Sequence, residues 1–220
     1  MSAREDIFAN IRRSLGVTGN ETTRRGAVAQ RLEQTPRGPI PSRGQGSPAA
    51  RLATFIGEAT RVSATVVVLD TAQAVPEEIA RFLREANLPL TLKHGEDARL
   101  SGLDWQAAGL EVATGRSDGA DLNAVTHAFG GVAETGSLVL LSGADNPVTL
   151  TFLPDNHFVV LAAADLNSDL ESVLVKLRRT GALPRTINIV TGPSRSADIE
   201  QTLLLGAHGP RRLHIMVTLN

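Results

Sequence analysis

Short apolar runs alternate with amphipathic helical patterns along most of this chain, and this alternation constrains the fold more than any other feature. The runs suited to buried strands span 65–69, 89–92, 110–114, 123–127, 137–141, 158–161, 186–190 and 213–219. Helical patterns span 52–59, 76–86, 168–179 and 196–205, and 120–128 could also be helical. Strands that alternate with helices predict an α/β fold with a mostly parallel sheet and helices on both faces. At 220 residues and 42% hydrophobic, the chain can bury one sizeable core.

The first 48 residues have a different character from the rest. Ser2 and Glu5 have the spacing of a capping box, and Ile7, Ile11 and Leu15 fall on one face of a helix that Gly16 would end. From 17 to 48 the residues are mainly Gly, Pro, Ser, Thr and Arg without apolar periodicity, which is typical of an extended linker or mobile arm. We therefore predict a flexible N-terminal region, 1–48, and an α/β domain, 49–220.

Charge within the N-terminal region leaves two interpretations open. Residues 1–51 carry nine arginines and four acidic residues. An excess of positive charge would let the arm dock on an acidic partner or cover an anionic ligand. A solvated tail would have the same composition.

The overall composition argues against several classes of protein. A formal net charge of -1 and 3% aromatic residues disfavour a nucleic-acid role. The chain has no cysteine, which excludes disulfides, thiolate nucleophiles, zinc–thiolate sites and cysteine-ligated iron–sulfur clusters within it. We find neither the apolar core of a signal peptide nor a run of about 18 apolar residues, and we expect a cytoplasmic protein without a membrane span.

The densest set of turn residues and ionisable side chains lies between 130 and 160. Gly130, Gly131 and Gly136 bracket Glu134 and Thr135 just before the apolar run 137–141. Such a glycine-rich turn can wrap an anion with backbone N–H groups. It lacks the Lys-Ser/Thr end of a P-loop and the order of a dinucleotide-binding loop, so a simple tight turn is the alternative.

Glu134 is the candidate catalytic residue of this stretch. A carboxylate flanked by small residues can act as a general base, as a nucleophile or as an acceptor for a substrate hydroxyl. Alternatively, it caps a helix or pairs with an arginine.

Two histidines, His157 and His208, occur in turn contexts and are candidates for proton transfer. His94, His127 and His214 are weaker candidates. The spacing of the histidines matches no metal-binding signature, so we predict no metal site. Alternatively, each of these histidines is a structural residue whose ring nitrogens are hydrogen-bonded.

A third group of candidates crowds the start of the predicted helix at 196–205, after the strand at 186–190. It comprises Ser194, Arg195, Ser196, Asp198 and Glu200. Arg195 could clamp a carboxylate or phosphate near a helix N-terminus, or these residues could be ordinary helix caps. Because sites in parallel sheets lie outside the carboxyl ends of the strands, the turns after Val190 and before Ser137 are where we expect the pocket.

Four motifs, in this order, resemble the lactate-utilization (LUD) domain family. They are AETGSL at 133–138, LPDNH at 153–157, TGPSRSADIE at 191–200 and GAHGP at 206–210. The resemblance covers roughly residues 50–220, and IRRSLG at 11–16 is also similar to the start of family members. One departure is that 142–149 has no arginine, where many relatives carry one.

This resemblance implies a Rossmann-like sheet similar to that of ribose-phosphate isomerases, glucosamine-phosphate deaminases and CoA-transferases. It implies a role in oxidising L-lactate to pyruvate together with two iron–sulfur proteins, which would hold the clusters that this cysteine-free chain cannot ligate. It also implies that the pocket for a small anionic metabolite is formed by the motif residues Glu134, Thr135, Gly136, His157, Ser194, Arg195, Asp198, Glu200 and His208.

Two hypotheses follow from these observations. In the first, the chain is an accessory subunit of a lactate-oxidising assembly, with no cofactor of its own. In the second, it is a stand-alone enzyme of the same fold, similar to a cyclo-ligase or a sugar-phosphate isomerase, with Glu134 as acid/base and Arg195 on a phosphate or carboxylate. The sequence leaves open whether the chain is itself an enzyme.

Overall fold

The computed structural model describes residues 2–35, 37–197, 203–206 and 208–220. The helices are α1 (Ala3–Leu15), α2 (Thr22–Gln34), α3 (Pro48–Arg61), α4 (Val75–Glu85), α5 (Ala98–Ser101), α6 (Val148–Phe152) and α7 (Leu170–Arg179). The strands are β1 (Thr65–Leu69), β2 (Thr91–His94), β3 (Glu111–Thr114), β4 (Asn123–His127), β5 (Gly130–Val132), β6 (Ser137–Leu141), β7 (Asn156–Ala162), β8 (Leu166–Asn167), β9 (Ile187–Val190), β10 (Arg195–Ala197), β11 (Leu203–Leu205) and β12 (Arg212–Thr218). Within these described ranges, no helix is long and apolar enough to cross a membrane.

Residues 1–39 and 40–220 form two compact units. In the smaller unit the predicted capping box is present, because the Ser2 backbone N–H donates to Glu5 Oε2 at 2.7 Å. The prediction of an extended segment after Gly16 is wrong over 22–34, where α2 forms. Its Ala, Gln, Arg and Leu residues have high helix propensity, although they lack a strong apolar stripe. Neither α1 nor α2 contains a buried residue.

Six parallel strands form the central sheet of the larger unit, in the order β1-β12-β7-β4-β2-β3. The middle strands are rich in Val, Ile and Leu and are buried on both faces, as parallel strands generally are. The predicted α/β fold with a mostly parallel sheet is confirmed.

Two hydrophobic cores cover the two faces of this sheet. On one face, Ile79 and Leu83 of α4 pack with Trp105 against Phe158 and Met216. On the other face, the core contains Phe55 and Ala59 of α3, Leu138 and Leu140 of β6, and residues of β7 and β12. The second face is therefore covered by a helix and by another sheet.

That second sheet has four strands in the order β8-β5-β6-β9, with β5, β6 and β9 antiparallel. The runs 137–141 and 186–190 thus lie outside the parallel sheet to which we assigned them. The physical reason is the connection at 133–136, because four residues can close an antiparallel hairpin but cannot make a parallel crossover.

The helix predicted at 196–205 is wrong at 196–197 and 203–205, where the structure has strands. β10 and β11 pair in antiparallel fashion, with Arg195 opposite Leu205. Capping residues and acids after a strand resemble a helix start, but Leu203–Leu205 pairs with another strand instead of forming a helical face. Asp198 and Glu200 lie outside the described residues.

Candidate functional site

The crevice between the carboxyl ends of β2 and β4 is the position in this sheet where a ligand is expected. These strands are neighbours, but the chain leaves β2 towards β3 on one side and leaves β4 towards β7 on the other. In open α/β sheets, ligands bind in the crevice at such a switch in strand order. We refer to this place as the β2/β4 crevice.

Two neighbouring loops shape the crevice. His94 ends β2 and His127 ends β4. The turn after β2 lies against the loop that follows β6, since the Glu96 N–H donates to the Ala144 carbonyl at 2.9 Å. A side chain at Gly95 would overlap the Asp145 carbonyl, so only glycine lets the two loops approach this closely.

An ion pair between buried Asp97 and exposed Arg99 supplies the charge in the crevice. Asp97 is 4% exposed and accepts from Arg99 through Nε at 2.9 Å and Nη2 at 2.6 Å. Burial alone would raise the pKa of Asp97, but the hydrogen bonds from Arg99 outweigh it, so its pKa is lowered overall. Arg99 Nη1 has no hydrogen-bond partner among the described residues.

His127 is a neutral polar group beside this pair. Burial lowers its pKa to about 4 and the positive charge of Arg99 acts in the same direction, whereas Asp97 and Asp165 oppose the shift. Its Nδ1 is buried and makes no hydrogen bond within the part of the chain that the structure describes. At pH 7 the crevice therefore presents a fixed cation and an unprotonated imidazole, a pair that can recognise a carboxylate and a nearby hydroxyl or keto oxygen.

Another histidine cluster lies at the opposite, amino edge of the sheet and is fully paired. His214 contacts Thr65 Oγ1 through Nδ1 at 2.7 Å and Glu78 Oε1 through Nε2 at 3.1 Å. Arg81 also donates to Glu78. Burial lowers the pKa of His214 more strongly than Glu78 raises it. Both ring nitrogens are satisfied, which is the pattern of a structural histidine.

Glu134, the predicted catalytic residue, lies at the start of α7. It is 8% exposed, and its Oε1 accepts from the Leu170 N–H at 3.3 Å. The Glu134 N–H donates to the Ser168 carbonyl at 3.2 Å, and buried Gly44 packs over both residues. This is the helix-capping alternative considered for Glu134, since a carboxylate near the first turn satisfies a free N–H.

The rest of the glycine-rich stretch is packed by protein atoms. Gly130 and Gly131 form β5, where Asp165, Val173, Leu161 and Leu166 surround them. Gly136 has φ +66° and lies against the Ala59 backbone of α3, so it is needed for the turn and for close packing. Thr135 belongs to a row of three hydroxyl groups. Thr135 Oγ1 lies 2.7 Å from Ser137 Oγ, and Ser137 Oγ lies 2.7 Å from Thr191 Oγ1.

His157 lies apart from these residues, at the amino end of β7. It is 1% exposed, its Nε2 is 2.7 Å from Thr126 Oγ1, and burial lowers its pKa to about 3. Its Nδ1 has no partner among the described residues. This is a neutral core histidine.

Ser194 and His208, by contrast, are brought together. Ser194 Oγ accepts from the His208 N–H at 3.3 Å, and the Ser194 N–H donates to the Pro210 carbonyl at 2.8 Å. Arg195 is exposed at the start of β10 and not at a helix N-terminus.

The predicted residues thus form a group around Glu134, a group around Ser194, and His157 alone; the roles assigned to them stay predictions. Sequence reasoning missed Asp97 and Arg99 and ranked His127 low. One sequence signal could have found them, because His127 ends the predicted strand at 123–127 and Asp97 and Arg99 come shortly after the predicted strand at 89–92.

Comparison with known proteins identifies the family, since residues 52–218 match the LUD domain model. This chain belongs to the LUD domain family. Its predicted resemblance to that family is therefore confirmed.

Three curated relatives illustrate the similarity of this LUD domain protein to others. An uncharacterized protein of Neisseria meningitidis serogroup B is 33% identical over 145 residues, 62% of each chain. Lactate utilization protein C of Geobacillus sp. is 35% identical over 92 residues, 40% of this chain and 38% of the relative. Lactate utilization protein C of Halalkalibacterium halodurans is 34% identical over 112 residues, 49% and 48% of the two chains. The matches span 38% to 62% of the lengths of these relatives.

A solved structure supports the fold of the LUD domain. The crystal structure of a DUF162 family protein from Deinococcus radiodurans matches with a TM-score of 0.58 and 22% sequence identity. The match covers 80% of this chain and 100% of that one.

Proposed function

We propose that this LUD domain protein is the non-iron–sulfur subunit of an assembly that oxidises L-lactate to pyruvate with two iron–sulfur proteins. The observation that carries the proposal is the similarity to curated relatives named lactate utilization protein C. The composition supports it, because a chain without cysteine leaves cysteine-ligated electron-carrying clusters to its partners. Oxidation of lactate releases two electrons and two protons, and the clusters of the partners accept the electrons.

In this proposal the β2/β4 crevice binds the organic acid. Arg99 is held by Asp97, so its guanidinium is oriented before the ligand arrives, and its free Nη1 donates to the carboxylate. His127 is unprotonated at pH 7, and its unpaired Nδ1 forms a hydrogen bond with the hydroxyl of lactate or the keto oxygen of pyruvate. The low pKa of His127 suits hydrogen bonding better than proton abstraction at neutral pH.

Gene deletion and complementation test the role in lactate utilization. We expect a strain without this protein to lose growth on L-lactate as the only carbon source and to retain growth on glucose. The wild-type gene should restore growth. Unimpaired growth of the deletion strain on lactate would refute the role.

Two variants test the crevice in the same strain. Arg99→Lys keeps the charge but loses the bidentate geometry, so we expect an increase of about tenfold in the lactate concentration needed for half-maximal oxidation. Arg61→Lys is the matched control, because Arg61 also pairs with a carboxylate, Glu58, but outside the crevice. Equal kinetics in the two variants would remove Arg99 from the site. Thermal unfolding of both proteins separates a binding defect from misfolding.

Purification under gentle conditions tests the subunit role. A tagged chain should retain two iron-containing proteins, detected by iron analysis and by the visible absorbance of the clusters. The isolated chain should not oxidise lactate. Lactate oxidation by the isolated chain would instead support a stand-alone enzyme.

A further inference from the structure

A second candidate site adjoins the loop that follows β6. Four segments line a cavity of about 340 Å³, namely the residues after β3, the residues after β6, the start of α6 and the residue that precedes β9 by two positions. The lining residues are Arg116, Ser142, Gly143, Pro147, Val148, Thr149 and Arg185. The volume is at the lower end of the range for small-molecule sites, which suits a small metabolite.

Both charged residues of this cavity are arginines. Neither Arg116 nor Arg185 forms an ion pair or a side-chain hydrogen bond with any residue that the structure describes, whereas Arg81 and Arg99 are each held by carboxylates. No carboxylate is among the lining residues.

The two hydroxyls of the cavity are also oriented to donate. Ser142 Oγ accepts from the Thr186 N–H at 2.8 Å, and Thr149 Oγ1 accepts from the Ser117 N–H at 3.2 Å. Neither hydroxyl donates to another described group. Each one has its hydrogen available, so the polar lining consists of two guanidinium groups and two O–H donors.

We propose that this cavity binds a small dianionic metabolite, a phosphate monoester or a dicarboxylate. Arginines that form no ion pair within the described part of the chain favour an anion, and guanidinium groups match the geometry of phosphate and carboxylate oxygens. Charge decides between a monoanion and a dianion, because two arginines attract a doubly charged ligand about twice as strongly as lactate at the same distance. The cavity shares the loop that follows β6 with the β2/β4 crevice but is lined by different residues, and the proposal goes beyond the role in lactate utilization.

Titration calorimetry on the full purified chain at low ionic strength tests the proposal, with glycerol 3-phosphate, succinate and lactate as probes. We expect one or both dianions to bind at least about tenfold more tightly than lactate at this site. Arg116→Gln and Arg185→Gln should each weaken dianion binding about tenfold or more. Arg179→Gln is the matched control, because Arg179 is an exposed arginine of α7 that does not line the cavity.

A fourth variant tests the sign of the electrostatics. Asp145 Oδ1 lies so close to Gly143 that a Cβ there would overlap it. The Asp145 carboxylate is therefore near the cavity and repels an anion in it. Asp145→Asn should therefore tighten dianion binding about two- to threefold. The proposal is overturned if neither dianion binds, if Arg116→Gln and Arg185→Gln weaken lactate binding as much as dianion binding, or if both arginine variants bind the dianions like the wild type. The assay needs no partner protein, so its failure is distinguishable from failure of the lactate role.

Discussion

At the scale of single residues, the same side-chain type has different roles according to whether its polar atoms are already paired. Glu134 accepts from the first N–H of α7, and both nitrogens of His214 are in contact with protein groups. His127 keeps an unpaired Nδ1 beside Arg99. An unpaired buried polar atom costs about 1 to 3 kcal/mol. His157 Nδ1 is also unpaired among the described residues, but only burial shifts its pKa, whereas the charges of Arg99 and Asp97 also act on His127. This charged surrounding favours a functional role for His127.

Substitution of Glu134 distinguishes capping from catalysis. Glu134→Gln keeps an oxygen that can accept from Leu170, so we expect a loss of unfolding free energy of less than about 1 kcal/mol. Glu134→Ala leaves that N–H unsatisfied and should cost about 1 to 2 kcal/mol. Urea unfolding measures both variants. Equal losses would show that the acceptor is unimportant, and loss of lactate utilization in a stable Glu134→Gln protein would restore its catalytic candidacy.

The buried histidines predict how stability depends on pH. The folded-state pKa values of His157, about 3, and His127, about 4, lie below the unfolded value of about 6.5. The unfolded state therefore binds more protons below pH 6.5, and the free energy of unfolding should fall as the pH is lowered from about 6.5 towards 4. Each histidine contributes a slope of up to about 1.4 kcal/mol per pH unit.

Removal of one imidazole checks this assignment. Urea unfolding of His157→Leu between pH 4 and pH 7 should show a shallower slope than the wild type, even if the variant is less stable at pH 7. His208→Leu serves as the control for the same substitution at an exposed position. An unchanged slope in His157→Leu would mean that His157 does not titrate as its burial requires.

At the scale of elements, residues 40–47, which precede α3, pack against the α/β domain although their composition is typical of a mobile arm. Gly44 is buried, and a Cβ there would overlap the Ser168 carbonyl and lie 3.0 Å from Glu134 Cβ. Gln45 donates to Asp169 Oδ2 at 3.1 Å. Asp169 in turn caps α7 by accepting from the Ser172 N–H at 2.8 Å. Residues 40–47 therefore cover the start of α7.

A pair of glycine substitutions tests this arrangement. Gly44→Ala should destabilise the protein by about 1 to 3 kcal/mol, because the added methyl group displaces the segment from Ser168. Gly57→Ala, on the open surface of α3, meets no atom within 4 Å and should stabilise the protein by up to about 1 kcal/mol. Urea unfolding gives both values, and limited proteolysis should show faster cleavage at 40–47 only in Gly44→Ala. Wild-type stability of Gly44→Ala would contradict the packing.

At the scale of the whole molecule, the two compact units are expected to differ in how much they contribute to the folding free energy of the chain. The larger unit contains the buried cores, and the described helices of the smaller one bury no side chain. Apolar residues of α1, including Ile7, Ile11 and Leu15, are exposed. The smaller unit therefore adds little to the folding free energy of the chain.

Deletion of residues 1–39 tests this division. We expect the free energy of unfolding to change by less than about 0.5 kcal/mol, because surface changes away from packed features usually have effects of that size. Urea unfolding of the truncated and full-length proteins is the measurement. A loss of several kcal/mol would show that the first unit supports the fold. Retention of stability with loss of the iron-containing partners would assign docking to this region.

The sequence by itself determined the fold class and the family. Apolar runs such as 65–69 and 158–161 are typical of strands, and the helical patterns between them favour a layered α/β arrangement. The absence of cysteine is enough to exclude thiolate chemistry, whatever the fold. These properties depend on residue type and short spacing, which can be read directly along the chain.

Only the tertiary structure decided which strands belong to which sheet and which polar residues meet. The run 137–141 has the apolar pattern of a central strand, but its short hairpin connection places it in the second sheet. His127 and Arg99 are 28 positions apart and come together only because β2 and β4 are neighbours, although β3 lies between them in the chain. Arg116 and Arg185 meet across one cavity in the same way. Strand order depends on long-range packing, and no local pattern contains that information.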